Sequence, residues 1–549
     1  MKRLLWAAAL GLVYLGVGVF DHDVWPPAEP AVAGVTWEMA TYGDLAVPRI
    51  NGMPYLEKPP LVYLLGLASG KLLGGLDAGR LRIPITLLGL ASLALLFWTA
   101  RRLYGEQIAA ICSLLCAANP TFYLMTHRAA SDGVALFFVF LCFSLFLCTL
   151  DRSESTGTDP VPGRRAWCDL AFCAALALSF YAKNFFTYLI IVPPIAIFLL
   201  RTHQLRRLVR IGACSLALTL LALAPWSLAL YRRGGLEFLR IVFFDNTFGR
   251  FFTISSTASF HLQPLNDAFV VQKGFSRFEA FEAFGIELLP WALLELAALW
   301  SLFLERHGKS ECRSFLRIAF VSILLAVTIP ASRSLNYYLP LVFVLVLASG
   351  EFLRDLFAER ERAARWRRWA LGMNLGVVAI GAALAPAGAA LALRRAGFAA
   401  LLLPNVAVLV WLALSFRTRS LDAGSTLAYV AFVLCAGVLT LGAAIPAIDA
   451  RSSWRPFFDG IRQEAEGRRL YSTELNDRHL PAMEYYLGRR LEILDQPTAL
   501  AEALQAKERV GVVAHHDTYE RWRGQLAGIE YSTRRASSGK DLFVWLQNR

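Results

Sequence analysis

Four groupings of charged residues in this chain lie directly against apolar runs, where an uncompensated charge is costly and a purely structural role is hard to justify. The densest is the polar stretch EMATYGDLAVPRINGMPYLEKPP, Glu38 to Pro60, which ends on adjacent Glu57 and Lys58 stiffened by Pro59 and Pro60. Just upstream, WPPAEP carries Glu29. The second grouping is Asp132, at the start of DGVALFFVFLCFSLFL. The third is FFDNTFGRFF, with Asp245, Asn246 and Arg250, followed by His261. The fourth is SRSLNYYLP, with Arg333 and Tyr338. Together these types suit a transfer reaction on a lipid-linked phosphate at a membrane face. A carboxylate deprotonates an attacking hydroxyl or holds the acceptor, while Lys and Arg neutralise a leaving phosphate. Arg250 among five Phe residues fits that chemistry, because its planar fork matches phosphate oxygens.

Two of these residues have structural readings beside the functional one. Asp132 suits a helix cap that complements the helix dipole, or an acid that orients a second carboxylate. Lys183, one residue before another apolar run, suits a snorkelling anchor. His515, His516 and Asp517 read as a loop after a strand, since no further metal ligand lies at a useful spacing. No P-loop or dinucleotide-binding glycine motif is present, which disfavours ATP or nucleotide-sugar chemistry.

The elements that must position these groups are membrane helices. The chain has 549 residues, 56% of them hydrophobic, and a mean hydropathy of +0.47. Apolar runs of about 17 to 25 residues recur over most of its length, enough for a helix to cross hydrocarbon with its backbone satisfied. The net charge of +13 comes from Lys and Arg clustered between those runs, a positive-inside pattern and no sign of a nucleic-acid partner. All nine Cys fall in or beside apolar runs without a CxxC pair, so they read as buried thiols. The N-terminal MKRLLWAAALGLVYLGVGVF reads as a retained first span with a cytoplasmic start.

Charge decides the number of spans. If Leu61 to Leu76 crossed, the clusters at Arg101/Arg102, Arg164/Arg165, Arg201 to Arg210, Arg306 to Arg313, Arg354 to Arg368 and Arg417/Arg419 would all lie outside. Read as an interfacial helix, interrupted by Gly66, Gly70, Lys71, Gly74 and Gly75, it leaves every cluster cytoplasmic. About 13 spans remain, at 4–20, 82–100, 107–126, 133–150, 167–182, 184–200, 211–231, 284–304, 314–331, 336–353, 369–393, 399–416 and 425–448. The expected fold is thus an all-α polytopic membrane domain, 1–448, with outer-face interfacial helices and two large outer loops, 21–81 and 232–283. After Ile448 the chain turns polar. Helix-like TALAEALQAKERV followed by the apolar runs GVVA and DLFVWL points to a small periplasmic α/β domain over 449–549.

The block EMATYGDLAVPRINGMPYLEKPPLVYLL resembles the first outer loop of the aminoarabinose lipid A transferases, relatives of the protein O-mannosyltransferases with the GT-C fold. The likeness extends to THRAASDGVALFF, FFDNTFGRFF, Pro290–Trp291 and SRSLNYYLP, covering most of residues 20 to 350. The resemblance implies a sugar donor on polyprenyl (undecaprenyl) phosphate, transfer at the periplasmic face of the bacterial inner membrane, and an acceptor that is lipid A or another glycan. Lys58 matches the family's phosphate-binding lysine, Arg250 a second basic donor contact, and Asp132 the acid that begins a later span. Glu57 falls where relatives have an acid that meets a metal or orients the lysine. Relatives carry Asp-Glu where this chain has Ala28-Glu29, and some carry His where Asn246 stands.

These readings combine into a set of expectations. Glu29 is the reacting-site carboxylate and Asp132 its supporting acid; Lys58, Arg250, Arg333 and Tyr338 hold the donor phosphate; Glu57, Asn246 and His261 orient them. No residue is assigned to a metal, although the resemblance leaves room for a divalent ion. Membrane lipids surround the chain. The rival classes are a lipid-linked sugar transporter, which should carry ionisable residues inside broken spans, and an inactive relative that only binds a polyprenyl lipid.

Overall fold

Among the described residues, helices dominate the chain as far as Ser452, and a five-stranded sheet follows them. The computed structural model describes residues 14, 16–150, 162–249, 277–304, 310–329, 335–358, 364–393, 406, 422–476, 478–535 and 542–548. Arg250, His261 and Arg333 lie outside the described residues, as do the expected span 399–416, apart from residue 406, and most of 4–20.

Five described helices are long and apolar enough to cross a membrane: Ala78–Tyr104, Arg165–Lys183, Leu205–Asn246, Arg365–Leu391 and Ala423–Ser452. Two further candidates are broken in the middle. Glu106–Ala117 and Pro120–Thr126 meet at 73°, and Phe281–Glu287 and Ala292–Leu304 at 101°. The first break follows from its sequence. Asn119 accepts from the Phe122 amide at 2.8 Å and caps a new helix, and Pro120 stands at its first position, where a missing N–H costs nothing. Other expected spans are short. Ser131–Leu147 has 17 residues and Phe186–Arg201 has 16, about 25 Å of helix against a hydrocarbon thickness of about 30 Å. Among the described residues five helices, or seven with the bent pairs, are long and apolar enough to span, against the expected 13 over the whole chain. Hydropathy counts apolar residues and does not register where an Asn-Pro pair or a proline turns the axis.

The first loop folds into three pieces. Glu29–Tyr42 is a buried helix. A hairpin pairs β1, Arg49–Ile50, with β2, Met53–Pro54, across Asn51-Gly52. Both turn residues are left-handed (φ 53° and 78°), the geometry that Asn-Gly supplies cheaply. Leu61–Leu73 is 13 residues long, too short to cross, and stops at left-handed Gly74.

The tail docks onto this loop. Its sheet, in the order β4-β3-β5-β7-β6, comprises β3 (Arg469–Ser472), β4 (Glu492–Ile493), β5 (Val510–His515), β6 (Tyr531–Arg535) and β7 (Phe543–Asn548). β3 is parallel to β4 and β5, whereas β7 is antiparallel to β5 and β6. The helices Arg455–Ala465 and Leu480–Leu487 share one apolar core with the membrane bundle through Phe458, Met483 and Tyr486. Contact with the loop is close: a Cβ on Gly34 would fall 2.4 Å from Pro481 Cβ. Polar groups set the register. Arg490 pairs with Glu38 at 2.6 Å, Asn51 exchanges hydrogen bonds with the Leu491 backbone, and Tyr485 donates to the Leu76 carbonyl.

Basic residues gather at the far ends of the helices. Arg207 pairs with Asp169 and donates to Thr149, Arg102 donates to Cys148, and Arg313 pairs with Glu351. The opposite ends, with the first loop and the tail, carry the candidate site.

Candidate active site

Five segments meet beside the first loop: residues 55–58, the start of Ser131–Leu147, the end of Pro162–Lys183, the π-helical turn Ile241–Gly249 and the 3-10 turn Leu335–Tyr338. Tight local structure delivers each one. Left-handed Asn184 (φ 51°) reverses the chain between two helices, which asparagine tolerates better than most residues. The long helix Leu205–Arg240 kinks at Gly235 and passes into the π-helical turn carrying Asp245 and Asn246. Both neighbours then grip the loop backbone: Asn184 Nδ2 donates to the Glu57 carbonyl at 3.1 Å and Asn246 Nδ2 to the Leu56 carbonyl at 2.7 Å.

Two acid–lysine pairs face each other in this frame. Lys58 Nζ lies 3.8 Å from Glu57 Oε1. Glu57 is almost fully buried, and its Oε2 accepts from the Tyr55 hydroxyl at 2.5 Å. Lys183 Nζ donates to Asp132 Oδ1 at 2.6 Å and sits over the rings of Phe186 and Tyr337 at 4.6 and 4.7 Å. Lys58 is close enough to Asp132, and Glu57 to Lys183, for the pairs to interact electrostatically. Each ammonium has three donors; Lys183 gives one to Asp132, and Lys58 pairs with Glu57 only at ion-pair distance. The carboxylates thus orient two lysines at one place, with donors left for an anion.

The remaining expected residues fall in other places. Glu29 has no accessible surface. Its Oε1 accepts from Arg82 Nε at 2.7 Å and the Ala129 amide at 3.0 Å, and its Oε2 from Arg82 Nη2 at 2.7 Å and the Trp25 amide at 2.8 Å. Burial opposes its charge, yet the Arg82 guanidinium and these N–H bonds hold its carboxyl below the ordinary value. A saturated, enclosed carboxylate has no lone pair to offer an acceptor in this geometry; it anchors the link before Asp132. Asp132 pairs with Lys183, and among the described residues no second carboxylate is its partner. Tyr338 is turned inward, its hydroxyl 3.2 Å from Thr328 Oγ1, and its neighbour Tyr337 faces Lys183. Asn246 orients the loop backbone. Among the described residues no group of three or more His, Cys, Asp or Glu is arranged to hold a metal ion.

Lys183, Tyr337, Asn184 and Arg82 are the residues that sequence reasoning did not place in the site. For Lys183 a signal was present. Asp132 begins one apolar run and Lys183 ends the next, so a single hairpin of helices brings them to the same face. Arg82 sits near the start of an apolar helix and carries no such mark.

Comparison with known proteins bears on this arrangement. Residues 57–231 match the family of dolichyl-phosphate-mannose-protein mannosyltransferases. The undecaprenyl phosphate-α-4-amino-4-deoxy-L-arabinose arabinosyl transferase of Pseudomonas paraeruginosa is 25% identical over 69% of this chain and 65% of its own length. Its counterpart 1 in Pseudomonas fluorescens is 27% identical over 64% of this chain and 59% of its own length. The chain thus spans just under two thirds of these relatives. ArnT from Cupriavidus metallidurans, in a crystal structure bound to undecaprenyl phosphate, superposes with a TM-score of 0.77 over 100% of this chain and 98% of that one, at 19% identity. The fold is the GT-C fold. An archaeal oligosaccharyltransferase from Archaeoglobus fulgidus shares this GT-C architecture more distantly, with a TM-score of 0.51 over 96% of this chain. The GT-C match includes the tail, which the sequence resemblance reached only by layout.

Proposed function

We propose that this chain is a glycosyltransferase that moves a sugar from a polyprenyl phosphate, of the undecaprenyl type, to lipid A or another cell-envelope glycan. The reaction belongs on the periplasmic side of the bacterial inner membrane, where the residues 1–448 form the transferase domain and 449–549 a docked periplasmic domain. The observation that carries this reading is the convergence of Lys58 and Lys183, each held by its own acid, at the mouth of a helix bundle. The similarity to arabinosyl transferases supports it.

In this mechanism an acceptor oxygen attacks the anomeric carbon, and the bond from that carbon to the phosphate oxygen breaks. The electron pair leaves with the polyprenyl phosphate, whose added charge Lys58 and Lys183 neutralise. Arg250 and Arg333 are proposed to add to this cationic lining. Glu57 and Asp132 keep the lysines fixed in place, a form of electrostatic preorganisation. Both acids are already engaged, which suits an acceptor that arrives ionised and needs no general base.

The test is transfer in liposomes with undecaprenyl-phosphate-linked aminoarabinose and purified lipid A, read by mass spectrometry. Lys58→Ala should reduce the rate by about 10²- to 10³-fold, the usual cost of removing one transition-state donor. Wild-type rates in that variant would end the assignment. One observation favours a second reading, a lipid-linked sugar transporter. Glu287 and Glu295, both nearly inaccessible, flank one helix break, and Asn119 at the other break donates to the Glu287 carbonyl at 2.7 Å. Transbilayer movement of a fluorescent polyprenyl phosphate that depends on Glu295, without sugar transfer, would establish that alternative.

A further inference from the structure

Arg82 is fully buried, and five hydrogen bonds radiate from its guanidinium. Two go to Glu29, and three go to the carbonyls of Val19, His22 and Asp23 at 3.1, 2.8 and 2.5 Å. One arm of this hub reaches the tail. The Asp23 carboxylate accepts from Arg455 Nη2 at 3.0 Å, Ser453 Oγ at 2.7 Å and the Tyr486 hydroxyl at 2.5 Å. The other arm reaches the site. Glu29 accepts from the Ala129 amide at 3.0 Å, and Arg128 Nη2 donates to the Pro26 carbonyl at 3.0 Å. Three residues after Ala129 stands Asp132, the acid that holds Lys183. An unbroken path of hydrogen bonds and a short link of chain therefore joins the docked tail to the acid–lysine pair.

Packing alone does not account for this hub. Burying an ion pair is costly, and an apolar residue of similar volume would commonly be as stable or more so. A rigid guanidinium fork that ties three backbone carbonyls to one carboxylate fixes geometry between separate segments. We propose that Arg82, with Asp23 and Glu29, is a positioning unit through which the docked C-terminal domain sets the placement of Asp132 and Lys183. In this role the tail is part of the site's scaffold, and releasing Arg455 or Tyr486 from Asp23 loosens the link 127–132. The functional consequence rests on Lys183 being a donor-phosphate group, as proposed above.

The experiment uses full-length protein in nanodiscs and the variants Asp23→Asn, Arg455→Gln and Arg455→Lys. Two quantities are read. One is acylation of Lys183 by an amine-reactive ester, measured by mass spectrometry against exposed Lys71 in the same molecule. The other is affinity for undecaprenyl phosphate. Asp23→Asn and Arg455→Gln should raise relative Lys183 acylation and weaken binding by on the order of 10-fold, about the loss of one hydrogen bond to a charged group. Arg455→Lys should recover part of both. With Asp132→Asn added, the effect of Asp23→Asn should largely disappear, because both act through one pair. Arg455→Gln lies on the tail surface, so a monodisperse variant is available even where Asp23→Asn folds poorly. Unchanged Lys183 labelling in that folded variant overturns the positioning role. A wild-type protein that does not bind undecaprenyl phosphate overturns the donor assignment instead, and the labelling ratio still decides the positioning.

Discussion

The pair formed by Lys183 and Asp132 makes the sharpest test of how this site is built. The two charged atoms lie 2.6 Å apart, and the side chains keep only 15% and 17% of their surface. Lys183→Met removes one partner and leaves Asp132 charged in a poorly solvated place. For a fully buried pair that costs about 3–5 kcal/mol. Residual solvent and the nearby Lys58 soften the loss, so about 2–3 kcal/mol is expected here. Asp132→Asn should cost a similar amount by stranding the ammonium. The double variant Asp132→Asn/Lys183→Met strands neither charge and should fall within about 1 kcal/mol of wild type. Transfer activity should nevertheless be lost in all three, because the donor's phosphate has lost a cation or its fixed orientation. Thermal unfolding in detergent gives the stabilities, and the liposome transfer assay gives the rates. A double variant as unstable as either single would refute the argument that stranded charge sets the cost. A double variant that transfers at wild-type rate would refute the role of the pair.

Other expectations concern the seam between the tail and the first loop. Gly34→Ala places a Cβ 2.4 Å from Pro481 Cβ and 2.6 Å from its carbonyl oxygen, so it should destabilise docking by about 1–3 kcal/mol and expose the tail to protease. Glu484 is buried against Glu38, and burial, reinforced by that neighbouring acid, pushes its carboxyl up to about 10. Its stabilising effect is therefore complete below the ordinary carboxylate range and is lost as pH rises towards 10. Glu38 shifts the other way: burial opposes its charge, but Arg490 and the Gly52 amide hold it low, so its contribution fades only in acid. Glu484→Gln should flatten the alkaline loss of tail protection measured by hydrogen exchange, and an unchanged alkaline profile would count against a protonated Glu484. Asn246→Ala frees the Leu56 carbonyl and should weaken donor binding several-fold while leaving the unfolding temperature within a few degrees, as read by titration with undecaprenyl phosphate.

Much of this protein is legible in one dimension because the relevant signals are local. The length and polarity of the apolar runs dictate membrane helices, since a bilayer leaves a backbone no other way to satisfy its hydrogen bonds. The Glu57-Lys58-Pro-Pro ending of the first loop marks a site because charge beside lipid must be compensated by something. The shift to polar sequence after Ile448 marks the tail, and two of its five strands, β5 and β7, form at the apolar runs GVVA and DLFVWL, whereas β3, β4 and β6 carry no such mark. Leu61–Leu73, interrupted by glycines in the sequence, is too short to cross and ends at left-handed Gly74.

Pairing is what the tertiary structure alone decides. Ionisable groups far apart in the chain compete for few partners, and the winners depend on distances of a few ångström. Glu29 carries the same carboxylate as Asp132, but helix packing delivers a buried Arg82 to one and Lys183 to the other. One becomes a closed strut and the other half of a partly exposed pair at the proposed site. Tyr337 and Tyr338 differ by one position, and the 3-10 turn sends only the first towards Lys183. Residue type and spacing thus point to the anionic-lipid chemistry proposed for this chain at a membrane face. The fold determines which charges do that work, because electrostatic strength in a poorly solvated site is set by contact geometry that no sequence spacing encodes.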